Sequence, residues 1–177
     1  MKLIKYFTFI FVVMSLSYHV TFAQEKEKST NEVIEKKFED LDHRLDQLAK
    51  AIDDIQWYNK VGDVANIEKV FIVGPPPTKI PNPTAMGANN PVKFWAYIFI
   101  PTKIDRSKKY PLIVLPHGGV HADFTTYYTH IIREMMVQGY IVVAPEYRGS
   151  TGYGKSFYEK IDYGGLEVDD NNAARAW

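Results

Sequence analysis

Apolar residues recur along the first third of the chain at alternating steps of four and three. They stand at Ile34, Phe38, Leu41, Leu45, Leu48, Ile52 and Ile55. Charged residues fill most positions between them, which is typical of a heptad seam on an amphipathic helix. We therefore predict an amphipathic heptad helix over residues 32–58.

Two interpretations of this seam stay open. The seam from Ile34 to Ile55 could form a coiled-coil oligomer interface, or the helix could lie on its own domain. Three heptads are marginal for an isolated helix, and Trp57 and Tyr58 follow directly as docking groups. These features favour packing on the chain's own domain.

Beyond residue 67 the apolar runs become short and rich in β-branched and aromatic residues, as in strands. We predict strands at 70–73, 92–100, 112–115 and 140–144, and helices at 127–138 and 167–177. The runs at 112–115 and 140–144 are continuously apolar, which indicates strands buried on both faces. This order predicts an α/β fold over residues 67–177 whose early strands are antiparallel. An α/β sheet with so few core strands is incomplete, so we expect a fragment of a larger domain.

The first residues have the layout of a secretory signal peptide. Two early lysines precede an apolar run, and small residues stand at suitable places before a cleavage point after Ala23. Serine and histidine interrupt the run, which is short for a membrane span. We expect removal of residues 1–23, a flexible polar leader at 24–31, no stable membrane insertion, and a periplasmic or extracellular location.

Composition excludes several classes of function. Lys plus Arg and Asp plus Glu number 21 each, so no excess charge favours nucleic acid or an anionic membrane. The absence of Cys excludes a disulfide framework, a thiolate metal site and a cysteine nucleophile. The four histidines of the mature chain, His43, His117, His121 and His130, lack metal-ligand spacing, so we expect structural roles for them, His43 on the solvated face of the helix, and no metal.

Two loops follow the apolar strands at their carboxyl ends, where open α/β sheets build their sites. In the first, Gly118 and Gly119 after His117 allow a sharp turn with bare N–H groups that can stabilise an oxyanion, although a tight turn alone would use the same residues. In the second, the segment from Gly149 to Ser156 formally matches a phosphate loop. Flanking Pro and Tyr residues favour an extended loop instead, so we rank nucleotide binding low and expect no cofactor.

Four blocks of sequence resemble the prolyl oligopeptidase family of serine peptidases. They are Tyr110-Pro111-Leu112-Ile113-Val114, His117-Gly118-Gly119, Gly139-Tyr140-Ile141-Val142-Val143 and Tyr147-Arg148-Gly149-Ser150-Thr151-Gly152-Tyr153-Gly154. The resemblance covers residues 68–177 and is greatest to the dipeptidyl and acylaminoacyl peptidase branch. It implies an α/β-hydrolase fold, a Ser, Asp, His triad in that chain order, and an oxyanion-hole N–H from Gly119 with Gly118 beside it. It also implies that the block after Pro145 is a structural loop near the site.

No serine of the mature chain has the setting of a nucleophile elbow, which needs Gly two residues before and after it. Arg148 stands where Ser150 needs the first Gly, and Tyr158 where Ser156 needs the second. The others, Ser29 and Ser107, lie in a polar leader and a turn. We therefore expect the catalytic Ser, Asp and His outside these residues and an inactive fragment.

These observations favour the N-terminal part of a secreted serine hydrolase, a peptidase acting on a peptide substrate. A carboxylic or carbohydrate esterase is an alternative, because ester and amide hydrolysis share such a site. A non-catalytic binding or assembly module that uses the heptad helix is the alternative from a different class.

Cleavage after Ala23 is directly testable by N-terminal sequencing of the exported protein. We expect the sequence to begin at Gln24, because the small residues before it suit signal peptidase. A membrane-retained product that keeps Met1 would contradict the prediction.

Overall fold

The computed structural model describes residues 2–80, 82–105 and 107–177, and side chains from residue 26 onward. The chain divides into two compact units, Met1–Asp42 and His43–Trp177. The helices are α1 (Lys2–Val61), α2 (Thr129–Val137), α3 (Lys155–Tyr158) and α4 (Leu166–Ala176). The strands are β1 (Ala65–Val73), β2 (Lys93–Pro101), β3 (Leu112–Val114) and β4 (Ile141–Pro145).

The first unit consists of the N-terminal part of α1. Helix extends through residues 24–31, where the sequence analysis expects a flexible leader. The difference has a local reason, because Glu, Lys and Gln are strong helix formers and dominate this segment. The signal-peptide prediction at 1–23 lies outside the residues whose side chains are described. In the described part of the chain, no helix is long and apolar enough to cross a membrane.

A four-stranded mixed sheet in the order β1-β2-β4-β3 forms the centre of the second unit. β2 pairs antiparallel with both β1 and β4, and β3 pairs parallel with β4. The predicted antiparallel start of the sheet is therefore confirmed. β1 begins earlier than predicted, at Ala65, because its first half is a polar edge segment with little apolar signal.

Alternation along β2 explains why this sheet is buried on both faces. Phe94, Ala96 and Ile98 belong to one hydrophobic cluster, together with Ala174 of α4. Tyr97 and Phe99 point to the other face and join a second cluster. That cluster contains Trp57 and Val61 from α1, Phe124 from a loop, and Ile132 and Met136 from α2. Side chains of period two thus connect α4 on one face with α1 and α2 on the other.

Within the second unit, α1 does not use its heptad seam to pack on the sheet. Trp57 is completely buried and its ring lies 4.9 Å from that of Phe99 and 5.6 Å from that of Phe124. Leu45 and Ile52 on the seam are exposed. In the second unit α1 lies on its own domain, as the favoured interpretation has it, and Trp57 docks there. Tyr58, the other expected docking group, is exposed, and the side that packs is not the heptad seam.

Trp57→Ala should lower the free energy of unfolding by about 3–5 kcal/mol, because it removes the largest side chain from the cluster between α1 and the sheet. Urea unfolding of the purified protein measures this. Tyr58→Ala is the matched control: the neighbouring aromatic ring is exposed, and its loss should change stability by less than about 1 kcal/mol. Equal effects of the two substitutions would contradict this account of docking.

Candidate functional site

The two loops singled out in the sequence lie side by side. β3 and β4 are parallel neighbours, so their carboxyl ends meet at one edge of the sheet. The first loop follows Leu115, whose N–H donates to the carbonyl of Val143 at 2.8 Å. The second follows Pro145 directly. The sheet therefore brings the predicted oxyanion residues Gly118 and Gly119 together with the block from Tyr147 to Gly154.

Gly119 has the backbone geometry of a tight turn. Its φ is +78°, in the left-handed region where a side chain would be strained. The Gly118 N–H donates to the Tyr128 hydroxyl at 3.3 Å, whereas no described group accepts from the Gly119 N–H. Both glycines are exposed. Among the described groups, the Gly119 N–H is thus without a hydrogen-bond acceptor, whereas the Gly118 N–H has one.

A tyrosine from the second loop fixes the first. The Tyr147 hydroxyl donates to the carbonyl of Gly119 at 2.7 Å and lies 3.2 Å from the carbonyl of His117. Its ring stacks on the His117 ring with centroids 4.3 Å apart. Burial raises the pKa of Tyr147 to about 12, so this hydroxyl remains a donor at neutral pH. Tyr147 therefore sets the orientation of the Gly119 peptide.

Below these loops lies a buried ionic centre that the sequence analysis does not predict. Lys50 of α1 reaches Glu146 at 2.6 Å and Asp123 at 3.2 Å, and donates to the carbonyl of Phe124 at 2.6 Å. Its three ammonium hydrogens thus have three acceptors. The Phe124 N–H donates to both carboxylate oxygens of Glu146 at 3.2 Å. The centre ties α1, the end of β4 and the first loop to one another.

Burial controls the protonation of Glu146. Removal from water raises the pKa of its carboxyl to about 7, against the opposing attraction of Lys50. His117, whose Nε2 lies 3.6 Å from Glu146, is shifted in the other sense: burial lowers its pKa to about 4. His117 is consequently a neutral imidazole at neutral pH.

Ser150, His117 and Glu146 have a superficial likeness to a catalytic triad. The Ser150 Oγ lies 2.8 Å from the Nε2 of His117. However, Ser150 is completely buried, and its hydroxyl donates to the Tyr147 carbonyl at 2.6 Å. Since the Ser150 hydroxyl proton is donated to the Tyr147 carbonyl, Ser150 acts as the acceptor in its hydrogen bond with the Nε2–H of His117. Glu146 approaches that same Nε2, whereas a triad acid binds Nδ1. This cluster is structural.

The other two serines of the second unit, Ser107 and Ser156, have no described histidine as a partner. Ser107 is exposed in a turn and donates to Asp105 at 2.7 Å. Ser156 lines a surface groove of about 740 Å³ between the 77–93 segment and residues 156–162. No histidine lines this groove in the described part of the chain. Among the described residues, neither serine is hydrogen-bonded to a histidine.

The segment that formally matches a phosphate loop uses its backbone donors internally. The N–H groups of Gly149, Ser150 and Thr151 donate to the carbonyls of Phe157, Tyr147 and Ala122. The helix that follows, α3, has four residues. A phosphate cradle needs free N–H groups at the start of a helix, so this geometry agrees with the low rank given to nucleotide binding.

Arg148 connects the second loop to α4. Its guanidinium forms a bidentate pair with Asp170, with both contacts at 2.8 Å, and donates to the carbonyl of Pro75 at 2.8 Å. Both side chains are completely buried. The backbone N–H of Arg148 also donates to Asp170 at 3.0 Å. Arg148 therefore fixes the position of α4 against the end of β4.

The histidines fill structural positions. His121 stacks on Tyr158 with centroids 3.6 Å apart, and its Nδ1 lies 2.8 Å from the Gly149 carbonyl. His43, expected on a solvated face, is half-buried with its ring edge-on to Tyr158. That expectation is wrong because this side of α1 faces the domain. Among the described residues, no His, Asp or Glu cluster could hold a metal ion.

Comparison with known proteins gives relatives among peptidases. The chain is 33% identical over 93 residues to the uncharacterized peptidase YuxL of Bacillus subtilis, and 35% identical over 89 residues to dipeptidyl-peptidase 5 of Porphyromonas endodontalis. These matches cover 51% and 48% of this chain. They span 14% and 13% of the length of those relatives.

A solved structure supports the fold. The puromycin-hydrolyzing peptidase of Mycobacterium tuberculosis matches 63% of this chain and 16% of its own, with a TM-score of 0.50 at 24% identity. The sheet with its flanking helices is accordingly a partial α/β-hydrolase fold. Residues 126–177 match the model of the prolyl oligopeptidase family. The resemblance to the prolyl oligopeptidase family that was read from the sequence is therefore confirmed.

Proposed function

We propose that this chain supplies the oxyanion-binding part of an exported serine peptidase whose nucleophile, acid and base lie outside these 177 residues. One observation carries the proposal: the Gly119 N–H at the carboxyl end of β3 is free among described groups, and Tyr147 fixes its peptide. Fixed N–H donors that face a developing oxyanion are a major source of rate enhancement in acyl transfer. Export rests on the signal-peptide pattern before Gln24.

The open edge of the sheet at β3 supports the placement of the nucleophile beyond the described residues. β3 pairs with β4 on one side, and no described strand pairs with its other side. A further parallel strand on that side would end at the same edge as Gly119. A serine on the turn after such a strand would stand beside the oxyanion donor, as acyl transfer requires.

The peptide bond is the substrate class that the relatives favour. Dipeptidyl-peptidase 5 and the uncharacterized peptidase YuxL are both named as peptidases. An esterase would use the same Gly119 donor, and only the pocket for the substrate side chain would distinguish the two.

A paired labelling experiment tests the proposal. The 177-residue chain and the product of its full reading frame are each treated with a fluorophosphonate probe and assayed with p-nitrophenyl acetate and a dipeptidyl amide. We expect stoichiometric labelling and amide turnover only in the full-length protein. The 177-residue chain should remain unlabelled, because Ser150, which lies beside His117, is completely buried, and no hydrogen bond joins Ser107 or Ser156 to a described histidine.

Three other outcomes would revise the assignment. Labelling of a serine within the 177 residues would contradict the placement of the nucleophile outside them. Absence of labelling in the folded full-length protein would contradict the hydrolase assignment. Turnover of the ester with no turnover of amides would replace the peptidase with an esterase.

Tyr147→Phe in the full-length protein should lower kcat/KM about fivefold, mainly through kcat. The substitution removes one hydrogen bond that fixes the Gly119 peptide, and such a bond contributes about 1 kcal/mol. Steady-state kinetics measure the effect. Tyr127→Phe is the matched control, because that ring is exposed. A fall in thermal stability without any fall in kcat would show that Tyr147 serves folding alone.

A further inference from the structure

The heptad seam of α1 is exposed along its whole length. Ile34, Phe38 and Leu41 in the first unit, and Leu45, Leu48, Ile52 and Ile55 in the second, are between 44% and 66% exposed. In the second unit the buried residues of α1 belong to its other side: Lys50 and Trp57 lie seven apart and contact the domain. The domain thus leaves the seam uncovered.

Heptad positions follow from the spacing of the seam. Phe38, Leu45 and Ile52 take position a, and Ile34, Leu41, Leu48 and Ile55 take position d. Lys50 and Trp57 then take position f, which points directly away from the seam. A partner on the seam would therefore not meet the domain that packs on position f.

Charges beside the seam are arranged to pair with a second copy of the same helix. Lys37 and Arg44 occupy position g, and Glu35 and Asp42 occupy position e. In a parallel, in-register pair, g of one helix faces the following e of the other, so Lys37 meets the partner's Asp42 twice by symmetry. In an antiparallel pair g faces g and e faces e, which places like charges together.

The remaining features agree with this orientation. Lys37 and Asp42 are exposed, and no ion pair or hydrogen bond with another described residue occupies either side chain. Asn31 stands at position a, where a single Asn fixes register and favours two strands. Acidic residues outnumber basic ones between residues 26 and 60, which does not suit an anionic membrane surface. We propose that the seam from Ile34 to Ile55 forms a parallel, two-stranded coiled coil with a second copy of this chain.

Solution mass tests the dimer. The full-length mature protein should sediment as a dimer at micromolar concentration, and Leu45→Asp should convert it to a monomer with unchanged helicity in the hydrolase part. Leu45 contacts solvent in the monomer, so the substitution spares the fold. Asp46→Ala, at the exposed position next to it, is the matched control and should leave the dimer intact. A monomer up to 100 µM, or a dimer unaffected by Leu45→Asp, overturns the proposal.

Charge exchange tests the pairing without disturbing the apolar seam. Lys37→Glu and Asp42→Lys should each raise the dissociation constant of the homodimer about tenfold, because two attractive pairs become repulsive. Mixing the two variants should restore dimers, since the introduced carboxylate of one chain then faces the introduced ammonium of the other, and the second pair remains native. Equal affinity of the two homodimers and the mixture overturns the pairing.

Cysteine crosslinking tests the orientation, and the chain has no native Cys to interfere. Ile34→Cys and Leu48→Cys place one thiol each at separated d positions. In a parallel dimer both should form disulfides with the same residue of the partner under mild oxidation. Asp46→Cys, away from the seam, should not. Crosslinking at no more than one of the two seam positions contradicts the parallel arrangement.

Discussion

The buried carboxylate of Glu146 is the point on which the arrangement of the second unit depends. It directly follows β4, receives Lys50 from α1 at 2.6 Å, and accepts the N–H of Phe124 from the loop after β3. Each partner belongs to a different part of the fold. A carboxylate completely removed from water needs such partners, because an unpaired buried charge is costly.

Satisfying that carboxylate places the candidate site. The loop held by Phe124 is the one that carries Gly119, and the residue after Glu146 is Tyr147, which holds the Gly119 carbonyl. Hydrogen bonds thus connect the buried ionic centre to the loop that carries Gly119. A buried ion pair contributes little net stability compared with apolar packing. The directional contacts of Lys50 explain instead why α1 has a fixed position along the sheet. Gly152 leaves space for the Lys50 side chain, because a Cβ at this position would lie 2.7 Å from the Cβ of Lys50.

The sequence pattern predicts the helices and strands that are determined by neighbouring residues in the chain. The strand at 92–100 and the helix at 167–177 each differ from the observed element by one residue at either end, because continuous aromatic and β-branched runs and helical periodicity are short-range signals. The turn at Gly118 and Gly119 was identifiable because paired glycines after a buried strand let the backbone turn sharply. Lys50 was not identifiable. A lysine on a charged helix has the pattern of a solvated face, and its partner Glu146 lies 96 positions away. Only the tertiary fold brings the two together.

The packing of α1 has a physical cause of the same kind. An apolar stripe normally identifies the buried side of a helix, whereas the apolar seam of α1 is exposed. The domain instead receives a stripe of mixed chemistry, in which His43, Lys50 and Trp57 stand seven residues apart and present an imidazole, an ammonium and an indole. Such a stripe has no apolar signal, yet it suits a receiving surface that combines carboxylates with aromatic rings. The side of α1 that packs on the domain thus cannot be found from apolar periodicity. It is determined by carboxylates of the domain, and only the tertiary structure shows where these lie.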